Sequence, residues 1–324
     1  MTMTSVLGID VAKDGFAVAL VVGEQLHRAQ FANTPDGFAE LGRWLAARTA
    51  TPIWACLEAT GRYGDDVARY LHEQQHTVSV VNPVRIKAYA RSQLKRNKTD
   101  QVDAQLIARF CQHEQPAIWH PAPPEIGQLQ ALVRQYDDLQ ALLLQARNRL
   151  SATPAAPLVR EQLEAQVHFL NQQLDALKDA INQHLQNHPD LKQSHAQLRT
   201  IPGIGLPTAA KILAAQPQRF DSADAFAAYA GLTPLNRDSG TSVHRRPRLC
   251  KIGDADLRRA LYMPALVAIR YNPTLRPFYE RLCANGKTKM AAIGAVMHKL
   301  LRIAYGVLKS GKPFDPKHIR TAAI

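Results

Sequence analysis

The sequence has few cysteines, only short apolar stretches, and an N-terminus that does not look like a secretory signal. Its four cysteines lie far apart and form no Cys-x-x-Cys pair, which argues against a zinc knuckle and a disulfide framework. Its twelve histidines include no His-Glu-x-x-His motif, which argues against a zinc hydrolase. Apolar stretches such as residues 16–22 are too short to span a bilayer. We therefore expect a cytoplasmic protein without a membrane segment, in which any metal has oxygen ligands.

Acidic residues are scarce in the C-terminal part of the chain. Residues 196–324 contain 21 Lys and Arg but only 7 Asp and Glu, a net charge of +14, whereas residues 1–195 contain 19 and 20, a net charge of −1. A positive field of this kind attracts polyanions, and nucleic acid is the commonest large one. An anionic membrane is the weaker alternative, because no basic amphipathic helix has a clear aromatic face.

The order of apolar patterns predicts a mixed α/β region followed by a helical one. A chain of 324 residues exceeds a single core, so we expect two or three domains. Three meandering strands followed by αβαβ units predict a mixed sheet. The predicted strands cover residues 5–9, 16–22, 27–31, 52–57 and 77–81, and the predicted helices cover 35–47 and 65–73.

Two apolar seams with alternating spacings of three and four residues predict a coiled-coil hairpin. The first runs from Leu129 to Leu150 and the second from Leu163 to His184, and the breaker at 151–157 makes them antiparallel. Such a hairpin could be a spacer, a dimerisation element or a grip on nucleic acid, and the pattern leaves these open.

The last part of the sequence is predicted to be mainly helical. Helices are expected at residues 206–215, 224–230, 254–271 and 288–308, with a kink at Pro264. Residues 236–251 have little helical periodicity and combine turn residues with cations, which predicts an irregular basic segment.

Four carboxylates could form a metal site in the first part of the chain. Asp10 and Glu58 each follow an apolar strand pattern, and Asp100 and Asp103 share one face of a predicted helix start that Thr99 could cap. Carboxylate oxygens are the ligands that Mg²⁺ prefers, and metal ions held in this way can act on a phosphodiester. Each acid alone also has a structural explanation, such as a solvent-exposed strand end or a helix N-terminus.

Basic residues lie beside this candidate site and in the C-terminal part. Residues 85–98 contain no acid, and their cations could track a nucleic-acid backbone or form a solvated helix face. The candidate contacts in this first group are Arg85, Lys87, Arg91, Lys95, Arg96 and Lys98. The C-terminal candidates are Arg245, Arg246, Arg248 and Lys251.

The segment Pro202-Gly-Ile-Gly205 lies between two helical patterns and looks like a helix-hairpin-helix. Gly203 and Gly205 would let backbone amides and the next helix N-terminus approach a phosphate. A purely structural hairpin is the alternative. Ser239, in Asp238-Ser-Gly240, is most often a turn residue, and Thr241 and Ser242 are equally available hydroxyls.

Several short motifs occur in order along the chain: the Gly-Ile-Asp10 start, Glu58-Ala-Thr-Gly61, Asn82-Pro83, Asn97-Lys-Thr-Asp-x-x-Asp103, Ile201-Pro-Gly-Ile-Gly205, Ala230-Gly-Leu-Thr-Pro234 and Ser239-Gly240. Taken in this order, they resemble the motifs of the IS110-family insertion-sequence transposases. The resemblance covers the whole chain, and its ordered motifs are far more specific than any one of them.

The resemblance implies three regions and a two-part active site. It implies a RuvC-like domain of the ribonuclease H fold (residues 1–122), a coiled-coil hairpin (123–190) and a C-terminal transposase domain (191–324). It implies that Asp10, Glu58, Asp100 and Asp103 bind Mg²⁺, with Mn²⁺ as a possible substitute. It further implies that Ser239 attacks DNA to form a covalent phosphoserine intermediate.

The same resemblance implies the partners. These are donor and target DNA, a structured bridge RNA that pairs with both, and further copies of the chain in a dimer or tetramer, so the protein is expected at the nucleoid when it acts. Two alternatives remain open at this point. One is a RuvC-like nuclease in which water is the nucleophile, and the other is a non-enzymatic nucleic-acid-binding scaffold.

Overall fold

A computed structural model describes residues 5–59, 62–93, 100–152, 156–239 and 243–319. The chain divides into two compact units, Met1–Ala122 and Pro123–Ile324. The first is built on a five-stranded sheet, and the second is mostly helical, as the sequence predicts.

The sheet of the first unit is mixed. Its strands lie in the order β3-β2-β1-β4-β5, so the two earliest hairpins are antiparallel and β1, β4 and β5 are parallel neighbours. This confirms the predicted combination of a meander with αβαβ units. The strands are β1 (Val6–Val11), β2 (Gly15–Val22), β3 (Gln25–Ala32), β4 (Trp54–Glu58) and β5 (Thr77–Val81).

Helices cover both faces of this sheet. One face packs α1 and α2 around a core that includes Leu7, Ile9 and Leu57. The other face is covered by α4, whose apolar residues pack with Val6, Cys56 and Val81. The helices are α1 (Pro35–Ala46), α2 (Asp65–Glu73), α3 (Pro83–Ser92) and α4 (Asp100–Glu114), and a 3₁₀ turn (Arg62–Gly64) precedes α2.

Helix α4 approaches β1 so closely that only glycine is accommodated at the contact. A Cβ atom on Gly8 would overlap the carbonyl oxygen of Ala104 and the amide nitrogen of Ala108, both backbone atoms of α4. Alanines on the neighbouring strand continue this contact, because Ala17 and Ala19 of β2 form a small buried cluster with Ala104. The position of α4 on the sheet is therefore set by small residues.

The second unit begins with two long antiparallel helices, α5 (Pro124–Ala152) and α6 (Pro157–Asn187). Arg147 donates a hydrogen bond to Asn171 at 3.3 Å near one end, and the His184 ring bonds the Glu125 carbonyl at 2.8 Å near the other. Much of the predicted seam is buried: Leu129, Tyr136, Leu139, Leu143, Ala146, Leu163, Leu170, Leu174 and Ile181. The helical hairpin is thus present, whereas its coiled-coil character stays a prediction.

The remaining helices of the second unit pack beside the base of this hairpin. Lys211 of α8 forms an ion pair with Asp137 of α5, and both side chains are largely buried. Gln130 of α5 donates a hydrogen bond to the Ala214 carbonyl at 2.8 Å. The helices are α7 (Pro189–Arg199), α8 (Leu206–Ala214), α9 (Ala223–Tyr229), α10 (Ala255–Ala260), α11 (Tyr262–Tyr271), α12 (Leu275–Ala284), α13 (Lys289–Ser310) and α14 (Pro316–Ile319).

The structure differs from the sequence prediction at a proline. The single helix expected at 254–271 is two helices that break at Leu261, three residues before Pro264. Proline has no N–H to donate to the carbonyl four residues earlier, and its ring clashes with that carbonyl. That carbonyl belongs to Ala260, so the helix breaks one turn upstream of the predicted kink.

The basic segment at 236–251 is also more regular than the sequence predicts. It contributes to a two-stranded antiparallel hairpin of β6 (Pro234–Ser239) and β7 (Val243–Leu249), with a register irregularity between Leu235 and Arg237. Pro247 has no N–H for the ladder, and it lies opposite this irregularity between the paired residues Arg245 and Arg248.

Helix α13 is an exception to the expectation that all apolar stretches are short. It has 22 residues and a mean hydropathy of 1.3 over its most apolar window, so by length and composition it could cross a membrane. However, 61% of that window is buried inside the fold. Burial of this extent is typical of a core helix, and it explains the apolar composition.

The contact at Gly8 gives a test of the packing. We expect Gly8→Ala to lower the free energy of unfolding by about 2–3 kcal/mol, because the new methyl group must displace backbone of α4. Gly127→Ala is the matched control, since a Cβ there meets no described atom within 4 Å and lies in helix α5. The control should be unchanged or more stable by about 0.5–1 kcal/mol. Urea denaturation of both variants measures the difference, and equal stabilities would contradict the described packing.

Candidate active site and nucleic-acid interface

Asp10 and Glu58 lie next to each other at the end of two parallel strands. The ladder between β1 and β4 pairs Val6 with Trp54 and continues in register to Ile9 and Leu57. Asp10 and Glu58 each follow this last pair, and both are partly buried. In-register neighbours on parallel strands point to the same face of a sheet, so the two carboxylates share a face.

That face is the one covered by α4. Residues two apart on a strand project to the same side, so Asp10 shares its side with Gly8, against which α4 packs. Glu58 likewise shares its side with Cys56, which packs in one buried cluster with Cys111 of α4. Both strand acids are therefore on the same side of the sheet as the helix that carries the other two.

Asp100 and Asp103 lie in the first turn of α4, as predicted. Asp103 is partly buried, and it immediately precedes Ala104, which packs on Ala17. Ala17 is in turn the cross-strand partner of Asp10. Asp100 is exposed. The predicted cap, Thr99, lies outside the described residues, so the cap stays a prediction.

The four acids do not form a closed metal site in the structure. Within the described part of the chain, no group of three or more His, Cys, Asp or Glu side chains is arranged to hold a metal ion. The structure thus brings Asp10 and Glu58 side by side and places the helix of Asp100 and Asp103 on the same face. It does not assemble three of the carboxylates around one point.

Two buried cysteines, Cys56 of β4 and Cys111 of α4, pack in one cluster on the same side of the sheet as Glu58. Cys56 and Cys111 are both fully buried. Their mutual hydrogen bond, together with burial, raises the pKa of Cys56 far above its ordinary value. Cys56 is therefore neutral, and both cysteines serve as packing residues between β4 and α4. Their wide spacing in sequence gave no signal that they would meet.

The basic residues that precede α4 are not equivalent. On α3, Arg85 is engaged within the unit, since it lies 3.8 Å from the Glu114 carboxylate and its guanidinium is 5.3 Å from the centre of the Phe110 ring. Lys87 and Arg91 are exposed on the same helix. Lys95, Arg96 and Lys98 lie outside the described residues. Lys87 and Arg91 are thus better placed than Arg85 to contact a phosphate.

The two glycines of the Pro-Gly-Ile-Gly loop have different surroundings. Gly203 has a φ of +108°, and a Cβ there would lie 2.7 Å from the Pro264 carbonyl oxygen of α11. Gly205 is exposed at the start of α8, where a Cβ would meet only the Pro207 ring, at 4.0 Å, among the described atoms. Gly203 is therefore required by packing against α11, and only Gly205 has room for an approaching ligand.

Ser239 is the last residue of β6 and pairs with Val243 of β7. The connecting residues 240–242 lie outside the described part of the chain, as do the side chains of residues 236–247, which include Arg245 and Arg246. Arg248 and Lys251, which follow, are exposed. Asp10 and Ser239 thus belong to different compact units.

Comparisons with known proteins bear on both units. Residues 7–153 match a transposase family model, the IS110 type with a DEDD motif. Residues 195–280 match a second model, described as a transposase of the IS116/IS110/IS902 family.

Similar proteins span nearly the whole chain. A pilin gene-inverting protein of Moraxella bovis is 35% identical over 96% of this chain and 98% of its own length. The transposase of insertion sequence element IS1328 from Yersinia enterocolitica is 26% identical over 97% of this chain and 100% of its own. A solved structure of T. thermophilus RuvC with a Holliday junction substrate covers 36% of this chain and 99% of its own, at 13% identity and a TM-score of 0.27, too low to establish a shared fold.

Two family models in the expected order, and a relative above 30% identity over nearly its full length, agree with the motifs. The chain therefore belongs to the IS110 family of transposases, which are enzymes that recombine DNA.

Proposed function

We propose that this transposase cuts and rejoins DNA strands with a divalent-metal site on its first unit and Ser239 as the nucleophile. The observation that supports the metal site is the adjacency of Asp10 and Glu58 on neighbouring parallel strands, on the face that α4 covers. We retain Asp100 and Asp103 as the remaining ligands, because they begin that helix. The RuvC-like ribonuclease H assignment of this unit is part of the proposal.

The four candidate ligands are of the chemical type that a hard divalent cation prefers. All four are carboxylates, and Mg²⁺ prefers oxygen ligands, with Mn²⁺ as a substitute. When bound, such an ion supplies the positive charge that polarises a phosphate for attack. Carboxylates brought together without a cation repel one another. The approach of Asp100 and Asp103 to the strand pair is therefore expected to accompany ion binding.

Ser239 would provide the attacking oxygen. Its hydroxyl oxygen forms a bond to a DNA phosphorus, and the bond from that phosphorus to a deoxyribose oxygen breaks, so the cut strand leaves with a hydroxyl that takes the proton. A hydroxyl of the joining strand then attacks the phosphoserine and releases Ser239. The four carboxylates and Ser239 must meet for this reaction, within one chain or between the copies of a homo-oligomer.

The name of a relative favours rejoining over simple hydrolysis. The Moraxella bovis protein is described as inverting a pilin gene. Inversion of a DNA segment requires that its cut ends are joined again, and a nuclease that uses water would leave them open. A covalent serine intermediate conserves the bond energy for that joining step.

Exposed cations on both units would hold the DNA. Lys87 and Arg91 lie on α3, and Arg248 and Lys251 lie at the end of the basic hairpin. Gly205 opens helix α8, where backbone N–H groups could meet a phosphate as in a helix-hairpin-helix. We include Lys95, Arg96, Lys98, Arg245 and Arg246 among the candidate DNA contacts on sequence grounds alone.

The metal site is tested by removing one ligand charge. Asp10→Asn should lower Mg²⁺-dependent strand cleavage by at least about 100-fold, because changes even to groups behind metal ligands lower activity by 10–100-fold. Cleavage is measured on duplexes carrying the ends of the mobile element. Glu40→Gln is the control, since Glu40 is an exposed acid on α1, on the opposite face of the sheet. Full activity of Asp10→Asn would refute the site.

The serine is tested by trapping the intermediate. We expect wild-type protein to form a complex with DNA that survives denaturing electrophoresis, and Ser239→Ala to form none, because the phosphoserine bond needs the hydroxyl. Thr241→Val and Ser242→Ala remove the two neighbouring hydroxyls and should retain the complex. If Ser239→Ala cleaves and joins DNA at the wild-type rate, water or another hydroxyl is the nucleophile.

We further propose that a structured bridge RNA guides the reaction and that exposed cations of the chain bind its phosphates. Protein purified with the DNA that flanks its gene should carry one RNA species, identified by sequencing. Ribonuclease treatment should abolish recombination, and adding the transcribed RNA back should restore it. Recombination that is equally fast before and after treatment would show that the RNA is dispensable.

A further inference from the structure

Asn33 is held in place by the elements on both sides of it. It follows Ala32, the last residue of β3, which pairs with Gly15 of β2. It precedes Thr34, whose side chain caps α1 by accepting a hydrogen bond from the Gly37 amide at 3.3 Å. The Asn33 backbone N–H itself donates to the Asp14 carbonyl at 3.1 Å. The backbone of Asn33, from which its side chain extends, therefore has a fixed position relative to the sheet.

The side-chain amide of Asn33 joins two loops. Its Nδ2 donates to the Ala12 carbonyl at 3.2 Å and to the Tyr63 carbonyl at 3.0 Å, with Lys13 also within reach at 3.5 Å. Ala12 and Lys13 form the turn that follows β1, and Tyr63 lies in the 3₁₀ turn that follows β4. These are the loops that come directly after Asp10 and Glu58.

The 3₁₀ turn also lies against the ends of the two strands. A Cβ on Gly64 would be 2.9 Å from Leu57 Cδ1 and 3.9 Å from Val11 Cγ2. Leu57 precedes Glu58, and Val11 follows Asp10. A displacement of this turn would therefore be transmitted to the immediate neighbours of both acids.

An amide is chemically suited to this position. The –NH₂ group of asparagine carries two N–H donors and no charge, so it can bridge carbonyl oxygens from two separate segments. A carboxylate of the same shape would place acceptors against those carbonyls. This role could not be predicted from the sequence, because Asn33-Thr-Pro35 is typical of a turn and a helix cap.

We infer that Asn33 is a positioning residue that holds the loops after β1 and β4 together and so fixes the separation of the Asp10 and Glu58 carboxylates. The inference rests on the proposed metal site, since a fixed separation matters for a ligand pair that shares one ion. Asn33 acts through the loops and is not itself a ligand.

Two measurements on the whole 324-residue chain test this role. The first is amide hydrogen exchange of peptides covering residues 11–15 and 62–66, without added metal. Asn33→Ala and Asn33→Asp should accelerate exchange in both segments together, roughly fivefold or more, because each loses hydrogen bonds that close the loops. The second is Mn²⁺ affinity, followed by the electron paramagnetic resonance of free Mn²⁺. Each variant should weaken it by about 10-fold.

Asn171→Ala is the matched control, because the Asn171 amide also donates to a backbone carbonyl, that of Val167 at 2.7 Å, but in the second unit. It should change neither measurement. Thermal unfolding of all variants shows whether a loss of Mn²⁺ affinity exceeds what a general loss of stability explains.

The Mn²⁺ affinity of Asp10→Asn shows whether a negative result contradicts the role of Asn33 or the metal site itself. If Asp10→Asn weakens Mn²⁺ binding and Asn33→Ala does not, the positioning role is wrong and the metal site stands. If Asp10→Asn leaves Mn²⁺ affinity unchanged, the metal site is wrong, and coupled exchange in the two loops then decides whether Asn33 joins them. Unchanged exchange in either loop of Asn33→Ala overturns the inference.

Discussion

The backbone contact between α4 and β1 at Gly8 is the constraint on which the candidate active site depends. No side chain fits between the strand and the helix at this point, so the distance between them is set by backbone atoms alone. The small residues Ala17, Ala19 and Ala104 extend the contact. Because the acids of α4 lie in its first turn, directly before Ala104, this contact also determines how near they come to Asp10.

Much of the first unit could be predicted from its sequence because its patterns are local. Five short apolar runs gave five strands, and a polar helix start gave α4. The second unit was harder to predict at positions where a residue changes the backbone several residues away from itself. The break at Leu261 comes from Pro264, whose effect falls on a carbonyl one turn earlier. The β6–β7 hairpin is rich in cations rather than in apolar β-branched residues, so its composition did not predict strands.

The candidate site could be predicted in part for the same reason. Strand ends on neighbouring parallel strands bring Asp10 and Glu58 together, and sequence alone indicates those ends. Other contacts around these acids join segments that are far apart in the sequence, such as Cys56 with Cys111 and Asn33 with Tyr63. The spacing of residues along the chain does not predict such contacts. Ser239 came only from the family resemblance, since a serine before glycine is ordinary in a turn.

The ion pair between Asp137 and Lys211 has a mechanical consequence for the second unit. Burial raises the pKa of Asp137, and the hydrogen bond and positive charge of Lys211 oppose that rise. Together with the Gln130 bond to Ala214, the pair fastens α8 to α5. Lys211 is thereby occupied within the protein rather than offered to DNA. The α5–α6 hairpin therefore sets the orientation of α8, and with it the direction in which the backbone amides after Gly205 point.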